Sequence, residues 1–344
     1  MSLGLSSIRR IAKSAIHLIN LLNLALIRGF LKLLPHSRKR IGLTYKAQEK
    51  LDGLGAQLQR LLGTRAVSAY LDIEYVHNEI EDVAIHPLDG IETSEQRKAY
   101  LLDINDIFAF SSTSTSLKNI SFSIDDLSIS DLWRALFLSL TGQTLLIAIT
   151  HPFRVVDLKP EMYRLSISDD LRTRLLSARS SIRNAIAIHH RQGTGNFAIQ
   201  PGQKSPRELT LISYLAPLKS LSSDERLFKR PLSIFTDASD EEFRFEPPVH
   251  QREQWIGLPN FDGKSIVMNR HNLSAFFKER GFQVEIESGG NPLDSLARLS
   301  NSDVLVLSRS SFGYVAALLS KNSSIFLPSD FWHPKLKGWK TFRP

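Results

Sequence analysis

The feature that most constrains the fold is the alternation of short apolar runs with amphipathic helical patterns in the second half of the chain. Short apolar runs such as AIAI (185–188) and VLVL (304–307) are typical of strands buried on both faces of a sheet. Strand and helix patterns that alternate at this spacing predict a parallel sheet covered by helices. The predicted strands are 184–189, 231–236, 264–269, 282–286, 303–308 and 323–327, and the predicted helices are 206–220, 271–280, 292–301 and 312–321.

The first half carries a weaker form of the same pattern. Residues 107–131 are rich in Ser, Thr and Asp, which favours loop or edge structure. Elsewhere we expect helices from 52 to about 69 and at 94–105 and 132–140, with strands at 69–77 and 144–150.

The length of 344 residues is enough for two α/β domains with their own cores. A charged helix at 168–181 is predicted to connect the two halves. The expected division is a basic amphipathic helical arm at 1–42, an N-terminal α/β domain at 43–165, a C-terminal Rossmann-like domain at 166–335 and a tail at 336–344.

One strand ends in an arginine suited to a diphosphate. The segment AIAIHHRQG (185–193) places His189 and Arg191 at the end of a predicted strand. An arginine can hold a phosphate through two parallel N–H···O bonds, a geometry that lysine lacks. An ordinary surface arginine after a strand would give the same pattern, so the residues alone leave this role open.

A second junction carries serines at the start of a helix. The segment DVLVLSRSSFGYVAALLS (303–320) places Ser310, Ser311 and Phe312 where a strand gives way to a helix. Free backbone N–H groups and hydroxyls there make a site for an anion. Serine is also the usual N-cap, so any helix can begin in this way.

Two aspartates occupy similar positions. SIFTD (233–237) ends a predicted strand in Asp237, and Asp294 lies in the first turn of the helix predicted at 292–301. Each fits a ligand contact and equally a turn or helix cap.

A glycine pair opens the first-half helix. In DGLGAQLQR (52–60), Gly53 and Gly55 permit a tight turn and close approach of backbone to a ligand. The third glycine and the acidic residue of a dinucleotide fingerprint are missing, which excludes that fingerprint.

In this order, the four segments resemble the GDP-fucose-dependent fucosyltransferases, which include bacterial α1,2 and α1,6 (nodulation-type) enzymes and protein O-fucosyltransferases. The resemblance implies a GT-B-like architecture, in which two Rossmann-like α/β domains enclose a cleft. It also implies an inverting, metal-independent transfer of fucose from GDP-fucose, or a related GDP-sugar, to a hydroxyl of a glycan acceptor. That acceptor would be a surface polysaccharide or a lipid-linked oligosaccharide, and no cofactor or metal is expected.

The resemblance assigns roles to the quoted residues. Arg191 would contact the diphosphate and stabilise the leaving group, and His189 would help to hold the guanine. The nucleotide-sugar contacts expected from the resemblance are His189, Arg191, Asp237, Asp294, Ser310, Ser311 and Phe312.

The same resemblance places a cleft loop at Gly53, Gly55 and Gln57, followed by His77 and Glu79 facing the acceptor. Glu79 is the catalytic candidate on this side. The identity of the catalytic base stays open, and Asp52 and Glu208 are the other candidates.

Three positions in the second half depart from the family pattern: Gln192 replaces an arginine, and Thr194 and Ala238 each replace an aspartate. In the first half, Ala56 stands where the pattern has asparagine. These departures keep open an alternative, a catalytically lapsed relative that binds a glycan or nucleotide without transfer.

The net charge of +8 lies at the N-terminus, because residues 1–48 hold nine Lys/Arg and no Asp/Glu. A positive end on a near-neutral body favours an anionic membrane surface over nucleic acid. We expect an interfacial helix within 8–34, followed by the cluster Arg38-Lys39-Arg40. A helix packed on its own protein or on a partner, and a signal anchor, remain alternatives.

The chain contains no cysteine, which fits a reducing compartment. With the basic helix, this leads us to expect a cytoplasmic protein that is peripheral at the inner face of the membrane.

Overall fold

The computed structural model describes residues 5–48, 52–85, 89–110, 117, 119–178, 184–191, 209, 211–221, 231–237, 243–245, 263–264, 266–268, 270–321 and 323–344. The chain divides into two compact units. The first comprises residues 1–52, 57–82 and 108–168, and the second comprises residues 53–56, 83–107 and 169–344.

Helices and parallel strands alternate in both units, which confirms the α/β class. The helices are α1 (Leu5–Leu33), α2 (Pro35–Arg38), α3 (Leu54–Leu71), α4 (Ser94–Phe108), α5 (Ile129–Leu140), α6 (Phe153–Val156), α7 (Tyr163–Ser166), α8 (Asp169–Ala178), α9 (Leu215–Ser220), α10 (Arg270–Lys278), α11 (Pro292–Ser300) and α12 (Ser311–Leu319). The strands are β1 (Ile41–Tyr45), β2 (Glu74–Val76), β3 (Phe122–Asp126), β4 (Leu145–His151), β5 (Asn184–His190), β6 (Leu232–Thr236), β7 (Phe243–Phe245), β8 (Ile266–Met268), β9 (Val284–Ser288), β10 (Ser302–Leu307), β11 (Ser324–Pro328) and β12 (Lys340–Phe342).

The first unit contains a four-stranded parallel sheet in the order β2-β1-β4-β3. Its two central strands are buried, and Leu43 pairs with Ile147 at their middle. β3 is an edge strand with mostly exposed residues, as expected within 107–131. At the two ends of that range the expectation is wrong, because α4 continues to Phe108 and α5 begins at Ile129.

The strand predicted at 69–77 is wrong in its first half. Helix α3 continues to Leu71 because Val67, Tyr70 and Leu71 extend its buried face at helical spacing. Asp72, with φ of 58°, then ends the helix in a left-handed conformation, and the strand is limited to β2.

The second unit contains a six-stranded parallel sheet in the order β9-β6-β5-β10-β11-β12. The chain runs outward from β5 through β6 to β9, and then returns to β10 on the other side of β5. The strand order therefore reverses between β5 and β10. In open parallel sheets, such a reversal leaves a crevice at the carboxyl ends of the two strands.

Three parts of this unit differ from the sequence patterns. The strand expected at 264–269 pairs antiparallel with β7 and does not join the parallel sheet. The helix expected at 206–220 contains a 3-10 turn, Leu211–Tyr214, and the short α9. The last residues add β12 to the edge of the sheet, where Phe342 is buried.

Candidate functional site

The carboxyl ends of β5 and β10 are tied together by two hydrogen bonds. The Ser308 N–H donates to the His189 carbonyl oxygen at 2.9 Å, and His189 Nδ1 lies 2.9 Å from Ser308 Oγ. Because β5 and β10 are neighbours at the reversal of strand order, these contacts mark the crevice of the sheet.

Arg191 and Asp237 follow neighbouring strands at the same edge. His190 and Thr236 are the last residues of β5 and β6, and they pair with each other. The residues that follow the two strands therefore lie side by side. Arg191 Nε lies 3.7 Å from Asp237 Oδ2, which is an ion pair longer than a hydrogen bond. The Arg191 side chain keeps 32% of its surface exposed, so the guanidinium is oriented by the carboxylate and still accessible.

The start of α12 lies beside His189. Ser310 is the N-cap, and its Oγ accepts a hydrogen bond from the Phe312 N–H at 3.3 Å. The rings of Phe312 and His189 are 5.7 Å apart at 35°. Ser311 begins the helix and is half-buried. Arg191 and Ser310 therefore lie at the same edge of one sheet, on loops that leave neighbouring strands.

Gly55 packs directly against this helix start within the second unit. A Cβ added at Gly55 would lie 2.4 Å from the backbone N and Cα of Phe312. A Cβ added at Gly53 would have no atom within 4 Å. The backbone of Gly53 forms a β-bridge with Ala84. Only a glycine at position 55 permits this approach, so one half of the predicted glycine pair contacts the candidate site.

The two histidines of β5 are neutral at pH 7. Burial, followed by the positive charge of Arg191, lowers the pKa of His189 to about 3. Burial also lowers the pKa of His190 to about 4, and its Nδ1 lies 3.0 Å from the Tyr214 hydroxyl. His189 therefore serves as a neutral ring and hydrogen-bonding group rather than as a proton shuttle at neutral pH.

These lowered pKa values predict that the protein loses stability in mild acid. The unfolded chain takes up protons near the ordinary pKa of 6.5, whereas the folded chain excludes them until the pH approaches 3 to 4. Between these limits the free energy of unfolding decreases as the pH falls, by about 1.4 kcal/mol per pH unit for each histidine.

Urea unfolding at pH 7 and pH 5 measures this effect. The two histidines together should lower the free energy of unfolding by about 4 kcal/mol over this interval. His190→Gln should lose about half of that decrease, whereas His36→Gln, at an exposed position, should keep all of it. An unchanged pH dependence in His190→Gln would contradict the assignment.

Asp294 lies at the same edge of the sheet but farther along it. It belongs to the first turn of α11, whose N-cap Asn291 accepts a hydrogen bond from the Leu293 N–H at 2.9 Å. α11 follows β9, which is two strands away from β5, and it packs against α12. Its expected contact with the nucleotide base stays a prediction.

Gln57 has a bracing role in the first unit that the sequence did not reveal. Its buried Oε1 accepts a hydrogen bond from the Tyr45 hydroxyl at 2.9 Å. Its Nε2 donates to the carbonyl oxygens of Asp52 and Asp82, at 3.0 and 2.6 Å. The side-chain amide therefore joins the end of β1 to two loops.

Gln57→Leu should lower the free energy of unfolding by about 2–4 kcal/mol, because the change leaves the Tyr45 hydroxyl and two carbonyl groups without this partner. Gln143→Leu, at an exposed position of the same unit, should change it by less than about 0.5 kcal/mol. Chemical denaturation measures both values, and equal effects of the two substitutions would argue against the brace.

The acceptor-side candidates lie in the first unit. His77 is half-buried, with its ring 5.9 Å from that of Phe110, and Glu79 is exposed. Asp52 forms an ion pair with the buried Arg60. Their expected roles stay predictions. The remaining base candidate and the three departures from the family pattern lie outside the described residues: Glu208, Gln192, Thr194 and Ala238.

Two contacts at the site were missed by sequence reasoning. One is Ser308, the partner of His189. The other is the buried Arg309, whose Nε and Nη2 donate to the two carboxylate oxygens of Asp330 at 3.1 and 2.7 Å. This pair anchors the turn before α12 to the loop after β11. Arg309 and Asp330 each follow a predicted strand, but their pairing depends on a strand order that the sequence does not specify.

Among the residues described here, no group of three or more His, Cys, Asp or Glu side chains is placed to hold a metal ion.

No protein-family model and no curated protein matches the chain. Among solved structures, it is similar to POFUT1 in complex with GDP, at 12% identity over 84% of this chain and 98% of that chain, with a TM-score of 0.40. It is also similar to the E. coli heptosyltransferase WaaC with ADP-2-deoxy-2-fluoro heptose, at 12% identity over 88% and 92% of the two chains, with a TM-score of 0.39.

Proposed function

We propose that the chain is an inverting, metal-independent glycosyltransferase of the GT-B type, which binds a nucleoside diphosphate sugar on its second unit. The observation that carries the proposal is the position of Arg191, beside the Ser310-capped start of α12 at the reversal of strand order. Anionic ligands favour this position in open α/β sheets.

The reaction assigned to this site is a displacement at the anomeric carbon. The acceptor hydroxyl oxygen forms a bond to that carbon from the face opposite the leaving group. The bond from carbon to the phosphate oxygen breaks, and its electron pair stays on the diphosphate, while the hydroxyl proton passes to a base or to water. Negative charge therefore grows on the diphosphate as the sugar leaves.

Arg191 is the residue proposed to stabilise that charge. Its planar guanidinium can donate two parallel hydrogen bonds to the diphosphate. The N–H groups in the first turn of α12 other than that of Phe312, together with the hydroxyls of Ser310 and Ser311, are proposed as further donors. Groups of this kind accelerate the reaction because they interact more strongly with the transition state than with the bound donor.

The donor and acceptor identities rest on the resemblance of the four segments. We infer that the donor is GDP-fucose or a related GDP-sugar, contacted by His189, Asp237 and Asp294 as well. We assign a glycan acceptor to the first unit, with His77 and Glu79 directed towards it.

A thermal-shift panel of GDP, UDP, ADP and CMP tests the nucleotide class. A ligand that binds only the folded chain at one hundred times its Kd stabilises it by about 2.7 kcal/mol. We expect GDP to raise the Tm most. Stabilisation by none of the four would contradict the proposed site, and a preference for another nucleotide would change the donor only.

A nucleotide-binding protein without transfer activity is the second candidate, because Gln192, Thr194 and Ala238 depart from the family pattern. The release of GDP from GDP-fucose by purified protein separates the two candidates. Slow hydrolysis that is lost in Arg191→Ala supports the transferase. Tight binding of GDP with no release of sugar supports the second candidate.

A further inference from the structure

Helix α1 presents a long apolar face that the described chain does not cover. Every residue from Ile11 to Ile19 is exposed. The large apolar side chains continue along the same face to the end of the helix, at Leu22, Leu26, Phe30 and Leu33. A contiguous exposed apolar face of this kind marks an interaction surface.

The opposite face of α1 packs on the first unit. Leu24, Ile27 and Leu31, spaced three and four residues apart, are each about 1% exposed. The Arg28 guanidinium lies 4.5 Å from the ring of Tyr70 on this side. The exposed apolar face is therefore directed away from the body of the unit.

Helix α5 extends the exposed face. Trp133 joins the two helices, because its ring lies 5.8 Å from that of Phe30 and 5.9 Å from that of Phe137. Phe137 is 60% exposed and Leu140 is 49% exposed, although α5 buries its other side. The apolar patch thus belongs to two helices, and we call it the α1–α5 surface.

The charge around the patch identifies the occupant. Residues 1–48 hold nine basic and no acidic side chains, and Lys13, Lys32 and Lys39 are exposed. Two copies joined through this surface would bring two segments of like charge together, which disfavours self-association. An apolar face with basic flanks fits an anionic lipid surface.

The packing also decides between lying on the membrane and crossing it. Residues Ile11–Leu33 are long and apolar enough to span a bilayer by length and composition, with a mean hydropathy of 1.5. However, the stripe from Leu24 to Leu31 is buried in the first unit. The uncharged part of α1 that precedes this buried stripe is residues 14–23. At 1.5 Å per residue, these residues cover about half of the hydrocarbon thickness of a bilayer.

We propose that the α1–α5 surface docks the protein onto an anionic bilayer, with α1 lying in the interface and α5 inserting Phe137 and Leu140 beside it. This proposal goes beyond the sequence expectation, because it includes α5 and excludes a spanning α1. It does not depend on the proposed glycosyl transfer. Within the expected basic cluster, Arg38 pairs with Asp72, and Arg40 donates a hydrogen bond of 3.3 Å to the Ser139 carbonyl oxygen.

Co-flotation of the full chain with vesicles tests the proposal. Binding to vesicles with one-third phosphatidylserine should exceed binding to pure phosphatidylcholine by about tenfold or more, and high salt should weaken it.

Leu18→Glu/Leu22→Glu should reduce binding by about tenfold or more. Phe137→Glu should reduce it by about three- to tenfold. Leu102→Glu, an exposed leucine of α4, is the matched control and should bind as the unaltered chain does.

Several outcomes would overturn the proposal. Unchanged binding of Phe137→Glu removes α5 from the surface, and this variant still tests the idea if the double variant fails to fold. Equal binding to neutral vesicles removes the role of charge. Resistance to alkaline carbonate extraction indicates a spanning helix. A dimer without vesicles that the same substitutions dissociate would make a second copy the occupant.

Discussion

Replacing Arg191 with alanine is expected to lower sugar transfer by about 10²–10³-fold with little change in Tm. The guanidinium is partly exposed and ion-paired with Asp237 at 3.7 Å, so its removal opens no cavity in the core. Its loss leaves the departing diphosphate without two aligned donors in the transition state. Steady-state kinetics with GDP-fucose and an acceptor measure the effect.

The lysine variant separates charge from geometry. Arg191→Lys keeps the positive charge but not the planar pair of donors, so we expect most of the activity to be lost. Arg280→Ala is the matched control, because this arginine belongs to the same unit and precedes β9, at the amino edge of the sheet. Equal activities of the Arg191→Ala and Arg280→Ala variants would remove Arg191 from the mechanism.

Gly55→Ala is expected to destabilise the second unit by about 1–3 kcal/mol and to weaken nucleotide binding. The added Cβ would lie 2.4 Å from backbone atoms of Phe312, and backbone cannot rotate away as a flexible side chain can. The strain is relieved by moving the start of α3 or the first turn of α12, which begins at Ser311 after its N-cap Ser310.

Gly53→Ala is the matched control for this change, because nothing lies within 4 Å of a Cβ at that position. Thermal unfolding and GDP titration of both variants compare the two glycines directly. We expect Gly53→Ala to behave nearly as the unaltered chain. Equal GDP affinities of the two variants would show that the contact between Gly55 and Phe312 does not support the site.

The strands at the centre of the second sheet were predictable because their apolar runs are unbroken. β5 and β10 lie within one residue of their expected bounds. The strand order was not predictable, because apolar runs indicate burial and not neighbours. The contact between His189 and Ser308 depends on that order, so the sequence indicated His189 but not its partner.

Other features depend on contacts that local patterns do not encode. The glycines at 53 and 55 predict close approach of backbone, yet only the fold shows that Phe312 approaches Gly55 and nothing approaches Gly53. The short strand β12 has the sequence KTF, which contains no apolar run, and only Phe342 of its three residues is buried. Local pattern therefore gave no signal for this strand. The basic cluster near residue 39 predicted lipid contact, but two of its side chains are held within the first unit.

Calorimetric affinities of GDP and GMP for the unaltered chain and for Arg191→Ala show whether Arg191 contacts the β-phosphate. The two nucleotides differ in the β-phosphate that Arg191 is proposed to contact. We predict that the unaltered chain binds GDP more tightly than GMP and that Arg191→Ala abolishes most of this difference. A preference for GDP that survives in the variant would contradict the account.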